Sequence, residues 1–232
     1  MPAPVEDIVF LLDCDNTLLD NDRVQDDLRA HLASEFGAES RDRYWEIFEA
    51  LRAELGYADY LGALQLYRAG ATSDPRLLLM SAYLLDYPFA ERLYPSALEV
   101  LEHLSGWGPT VIVSDGDVVF QPRKIQRSGL WDAVEGRVLI YIHKEAMLDD
   151  VARRHPARHY VMVDDKLRIL VAMKELWRSR LTSVFVRQGH YARERLSTPA
   201  TADMTIERIG DLLEQDRASF QAPRVDEKQE VT

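Results

Sequence analysis

One cysteine, Cys14, stands in 232 residues, so no intramolecular disulfide can form and cysteine usage lends no support to secretion. No apolar run approaches the length that spans a bilayer. The opening MPAPVED lacks the basic region of a secretory signal. Basic charge is scarce too: 28 Lys and Arg against 39 Asp and Glu, a formal net charge of −11. That balance argues against a nonspecific grip on nucleic acid or on an anionic membrane. It leaves a phosphate ester open, because local cations and a bound metal decide that question. No Cys/His cluster has zinc spacing; His143, His155, His159 and His190 are scattered and read as surface or packing residues. Internal repeats and low-complexity tracts are absent. What is present is a globular chain, 47% hydrophobic, with ample material for a core. A soluble cytoplasmic protein is the default expectation.

The chain divides by its hydrophobic period. Residues 8–12, IVFLL, are an unbroken apolar run of strand length. Residues 21–91 then read almost entirely as helix, with apolar residues at threes and fours, as in Leu28, Leu32 and Phe36 or Trp45, Phe48 and Leu51. Gly37, Gly56 and Gly70 fall at helix ends, and Pro75 sits where a first turn tolerates it. About four helices are expected there, their aromatics (Tyr44, Trp45, Phe48, Tyr57, Tyr60, Tyr67) mostly core or helix seams.

From Tyr94-Pro95 helices and short strands alternate. The expected elements are helix 96–105, strand 110–113, helix 118–128, a strand within 137–142 and helix 144–154. Strand 160–163, helix 166–178, strand 182–186 and a last helix at about 206–216 follow. Such alternation implies a mostly parallel sheet with right-handed crossovers. The expected fold class is α/β: a Rossmann-like parallel-sheet core with helices on both faces, built from 1–20 and 92–216, plus an inserted all-helical domain at 21–91. Residues 217–232 are polar and are expected to fray.

Chemistry gathers at strand ends. The first strand runs into Asp13 and Asp15, with Thr17 two further on. Asp20/Asp22 and Asp115/Asp117 repeat the spacing, so the spacing alone says little; Asp20/Asp22 reads as a helix N-cap. The 13/15 pair differs by following a buried strand, and carboxyl ends of parallel strands are where such sheets place ligands. TVIV ends in Ser114 and YVMV in Asp164-Asp165. Asp149/Asp150 follows no strand; late in a helix, it reads as solvated surface. Converging carboxylates raise one another's pKa, and a hard divalent cation relieves that. Oxygen-only ligands describe magnesium better than zinc. Lys144 follows RVLIYI directly and is the favoured cation for the site. Its competitors are Lys124, read as solvated or helix-packing, and Lys166, which at a helix start can point outward.

Together these residues resemble the haloacid dehalogenase superfamily, which is dominated by phosphatases. DCDNT at 13–17 matches its first motif, Ser114 closing VIVS its second, Lys144 its third and VDD at 163–165 its fourth. The helical block at 21–91 resembles that superfamily's C1-type helical cap. The resemblance implies a magnesium-dependent phosphatase acting on a small phosphate monoester. Asp13 is then the nucleophile that becomes an aspartyl phosphate, and Asp15 the general acid and base. Ser114, Lys144 and Asp115 bind the phosphoryl group. The metal set is Asp13, the Asp15 carbonyl, Asp165, and Asp164 acting through water or by orienting Lys144. Asn16 stands where many relatives have glycine, and Glu145 where many have proline.

Three other readings stay open. A phosphomutase or phosphotransferase passes the group to a sugar instead of water. A 2-haloacid dehalogenase needs no acid at Asp15 and is disfavoured by it. A non-catalytic binding module on the same fold is the third. Arg52, Arg68 and Arg76 are possible anion contacts from the helical block, though each reads more readily as surface. The expected partner is a small phosphorylated metabolite, with no nucleic acid and no membrane, for a monomer or homodimer.

Overall fold

The computed structural model describes residues 4–70, 74–191 and 201–220. Six parallel strands form one sheet in the order β3-β2-β1-β4-β5-β6. They are β1 (Glu6–Leu12), β2 (Thr110–Asp115), β3 (Val138–Tyr141), β4 (Ala157–Asp164), β5 (Leu181–Val186) and β6 (Met204–Ile206). The first apolar run lies at the centre. β1 registers Leu12 against Ile112 of β2 on one side and against Val163 of β4 on the other. A strand so placed is covered on both faces, which is why its sequence is continuous apolar rather than alternating. The two-residue side-chain period still sorts it. Ile8, Phe10 and Leu12 enter one core cluster, Val9 and Leu11 the other.

Between β1 and β2 the chain makes α1 (Asn21–Phe36), α2 (Ala38–Leu55), α3 (Tyr60–Gly70) and α4 (Arg76–Asp86). α1 is capped by Asp20, whose carboxylate accepts from the Arg23 N–H at 2.9 Å. α2 ends on Gly56 at φ 81°, the left-handed cap that favours glycine. The block has an aromatic spine. Phe48 and Tyr60 rings lie 4.7 Å apart, and Tyr60 lies 4.9 Å from Phe120 of the core. The apolar cluster is thus continuous from the sheet into the insertion.

The remaining helices are α5 (Ala97–Ser105), α6 (Phe120–Arg127), α7 (Leu130–Ala133), α8 (Leu148–Arg154) and α9 (Leu167–Trp177). Four sequence expectations need correction. In place of a helix at 206–216 there is the edge strand β6 and a 3-10 turn at Ile209–Glu214; Ile206, Ile209 and Leu212 are buried, a spacing of threes that either helix type satisfies. The helix expected from 144 begins at Leu148, after a 3-10 turn at Lys144–Ala146. Asp149/Asp150 therefore opens α8 instead of lying late in it. Residues 217–220 do not fray: Phe220 is buried, its ring 5.4 Å from Phe10. Residues 221–232 lie outside the described residues. No described helix is long and apolar enough to cross a membrane.

Candidate functional site

β1 continues past Leu12 through the Asp13 N–H, which donates to the Val163 carbonyl at 3.0 Å. The chain then folds back, with the Cys14 carbonyl accepting from Leu18 at 2.9 Å and Leu19 at 3.0 Å. Asn16 takes φ 60° in this turn, a left-handed conformation that Asn tolerates better than most residues. That explains why it can stand where glycine is common. Its Oδ1 accepts from the Asn21 and Asp22 N–H groups, tying the turn to the start of α1.

The parallel sheet brings Asp13, Ser114, Lys144, Asp164 and Asp165 to one edge, as their positions at successive strand ends require. All five are buried. Closed off from solvent, Lys144 Nζ donates to Asp13 Oδ1, lies 2.7 Å from Asp164 Oδ2 and also donates to the Val113 carbonyl at 3.2 Å. Burial alone would push this ammonium down, but Asp13, Asp164 and Asp115 outweigh that and hold it above its ordinary value. The Asp115 carboxylate accepts the Lys144 backbone N–H at 2.8 Å and so anchors the turn that carries the lysine. Burial pushes Asp115 up to about 6.

One lysine does not neutralise this edge. Asp13, Asp164 and Asp165 each offer an oxygen within 4.8 Å of the others. Asp13 Oδ2 and both Asp165 carboxylate oxygens are buried with no hydrogen-bond partner among the described residues. Burial, then Asp164 and Asp13, raise Asp165 well above the ordinary carboxylate range. Orphaned carboxylate oxygens in a buried site are costly. A hard divalent cation fits this donor set: oxygen-only ligands, two acids from one strand end and one from its neighbour.

Asp15 stands apart from that cluster, and here the sequence reading of Lys124 fails. Lys124 is fully buried, and its ammonium donates to both Asp15 oxygens at 2.8 Å and to Asn21 Oδ1 at 3.1 Å. Burial lowers this lysine, but Asp15 and then Tyr60 and Cys14 more than offset it. Gln121 Nε2 donates to Ser114 Oγ at 3.0 Å and reaches Asp15 Oδ2 at 3.4 Å. The signal for both was in the helix. Phe120, Gln121, Lys124 and Ile125 are the buried residues of α6, and their spacing of one, three and one is a single helical face. Two apolar residues mark that face and carry the polar pair inward.

Beyond Asp15 a cleft of about 90 Å³ opens between insertion and core. Arg52, Gly56 and Tyr57 reach it from α2 and its cap; Lys166, Arg168, His190 and Tyr191 line it from the core. Tyr57 is thus a cleft residue, whereas Tyr44, Phe48 and Tyr60 are core as expected. A Cβ on Gly56 would lie 2.8 Å from the His143 ring, so the end of α2 sits directly on the loop after β3. His190 Nδ1 pairs with Asp22 at 2.5 Å. Arg76 pairs with Asp74 and Arg68 is exposed; neither faces the cleft.

Comparison with known proteins agrees with this architecture. The family model for haloacid dehalogenase-like hydrolases matches residues 9–176. A solved structure from Burkholderia xenovorans LB400, assigned to that same family, is 70% identical, covers 91% of this chain and 99% of its own, and superposes with a TM-score of 0.86. YfnB from Bacillus subtilis, described as bound to magnesium, is 15% identical with a TM-score of 0.57, covering 90% and 98% of the two chains. The L-2-haloacid dehalogenase PA0810 is 16% identical with a TM-score of 0.59, covering 91% and 99%. At those identities the last two show the fold alone. No curated protein matches the chain.

Proposed function

The chain belongs to the haloacid dehalogenase-like hydrolases, and from that premise we propose that it is a magnesium-dependent phosphatase of small phosphate monoesters. The observation that carries this reading is the buried set of Asp13, Asp164 and Asp165 with orphaned oxygens around the Lys144 ammonium. Phosphoryl transfer depends chiefly on positioning and charge neutralisation, and this edge supplies both.

Asp13 attacks phosphorus through a carboxylate oxygen, forming an aspartyl phosphate as the bond to the leaving oxygen breaks. Asp15 gives its proton to that departing oxygen, then takes one from the water that attacks phosphorus and frees Asp13 as phosphate leaves. Lys124 and Gln121 hold the Asp15 carboxylate in one orientation throughout. Ser114, fixed by Gln121, donates to a phosphoryl oxygen. Lys144 offsets charge on Asp13 and on the phosphoryl group. Asp13, Asp165 and the Asp15 carbonyl would hold magnesium, with Asp164 orienting Lys144, from which it lies 2.7 Å away. Bound there, the ion would supply charge stabilisation to the transferring group. α1–α4 act as the cap that excludes water and selects the substrate.

The presence of Asp15, braced by two side chains, favours an oxygen leaving group over halide, which needs no proton. Phosphate release from a panel of about a hundred metabolite esters with magnesium tests the reading. Asp13→Asn is expected to lower that release by more than about a thousandfold with the fold retained. Activity that survives this change, or halide release without metal, sinks the proposal; transfer of phosphate to an added sugar would convert it to a phosphotransferase.

A further inference from the structure

We infer that the alcohol part of the substrate carries a negative charge of its own, held by Arg52 of the insertion and Lys166 of the core. The inference rests on the phosphatase reading and adds the substrate class to it.

The cleft separates two positions. Its walls include Asp15 and Asp115 but not Asp13, Asp164 or Asp165. It is therefore the space beyond the phosphoryl group, on the side of Asp15, where the leaving oxygen and its substituent lie. Cations lining that space face the leaving group. Arg52 and Lys166 converge there from opposite walls: the Arg52 guanidinium lies 5.8 Å and Lys166 Nζ 4.8 Å from the centre of one ring, Tyr191. Arg168 lines the same space.

These cations differ from the buried pair. Lys144 and Lys124 are each closed off by carboxylates. Among the described residues Arg52 pairs only with Glu49 at 3.4 Å, a half-exposed contact, and Arg168 only with Glu145 at 4.0 Å; such pairs contribute little. Lys166 makes no ion pair within 4.0 Å among the described residues, although its charge also reaches Asp165, Asp164 and Asp115 from outside the cluster. His190 is taken by Asp22. In a chain of net charge −11, cations gathered at one cleft mouth concentrate an anion there. The small cavity, about 90 Å³, suits a short acid such as a hydroxy acid ester better than a nucleotide.

The test uses three esters of similar length: 3-phosphonooxypropanoate, butyl phosphate and 3-aminopropyl phosphate. Binding is measured by calorimetry with magnesium on the full-length Asp13→Asn protein, in which turnover is expected to be slow enough for equilibrium binding. The anionic ester is expected to bind at least about tenfold tighter than butyl phosphate, the worth of one charge-assisted contact. Arg52→Gln and Lys166→Gln, each added to that background, should erase most of this ratio. Equal binding of all three, preference for the amine, or variants that weaken every ester alike overturns the inference. Phosphate release by the unmutated protein is followed in parallel. Its absence removes the phosphatase reading, while the binding ratio still judges the subsite.

Discussion

The carboxyl edge of the sheet and the helical insertion are built on opposite economies of charge. At the edge, three carboxylates (Asp13, Asp164 and Asp165) and two lysines are buried, and the ion pairs are supplied by residues far apart in sequence: Asp13 with Lys144, Asp15 with Lys124. The insertion is held by an aromatic spine and pairs charges at its surface, as in Arg29 with Asp26 and Arg52 with Glu49. An apolar core tolerates loss of a contact locally. A buried ionic network does not, because removing one member strands the others. The edge therefore carries chemistry that cannot drift, and the insertion carries a surface that can vary.

That contrast can be broken most forcefully at Lys144. Lys144→Met leaves Asp13 and Asp164 facing each other in the interior, and a loss of about 3–5 kcal/mol in urea unfolding is expected; magnesium should restore part of it by binding only the folded state. A smaller loss would mean that the carboxylates already take up protons. Phe48→Ala tests the insertion. Its ring contacts Trp45 and Tyr60, so about 3 kcal/mol is expected, with KM for a small ester rising more than kcat falls. If kcat falls most, the insertion shapes the edge as well as covering it.

Lys124→Met comes next. Asp15 keeps some solvent contact, 22% of its side chain being exposed, so the stability cost should be only about 1–3 kcal/mol. The expected signature is kinetic: kcat falls at least about a hundredfold, while KM moves less. The smallest effect belongs to Asp27. Burial raises its carboxyl, but hydrogen bonds from Tyr87 and Arg92 outweigh that and set it below the ordinary value. A depressed folded value adds stability above the unfolded pKa of about 4 and loses it as pH falls through the folded value. Asp27→Asn should therefore cost under about 1 kcal/mol at neutral pH and flatten the acid limb of a pH–stability profile.

Much of the fold is legible because its strongest signals are local. The apolar runs ending in Asp13, Ser114 and Asp164 sit in adjacent strands of one parallel sheet, and every described element from α1 to α4 in the insertion is a helix. The errors fall where local pattern is ambiguous. Ile206, Ile209 and Leu212 allow a helix, and only pairing of Val184 with Met204 decides for an edge strand. Phe220 lies in a polar stretch, and its burial depends on the rings of Phe10, in the central strand, and Trp107.

For the candidate site the division is similar. A strand of seven residues running into two acids by itself determined where the carboxylates would emerge, because a parallel strand delivers its carboxyl end to the open edge. The order of Ser114, Lys144 and Asp164-Asp165 followed from the same rule. Which lysine serves which acid was settled only in three dimensions. Lys124 reads as solvated or helix-packing in isolation, and it is drawn inward because Phe120 and Ile125 bury the face it shares and because Asp15 and Asn21, more than a hundred residues away, compensate its charge. Arg52, Lys166 and Tyr191 likewise meet only when the insertion folds back over the edge. Sequence spacing carries periodicity along one element; the balance of buried charge is a property of neighbours in space.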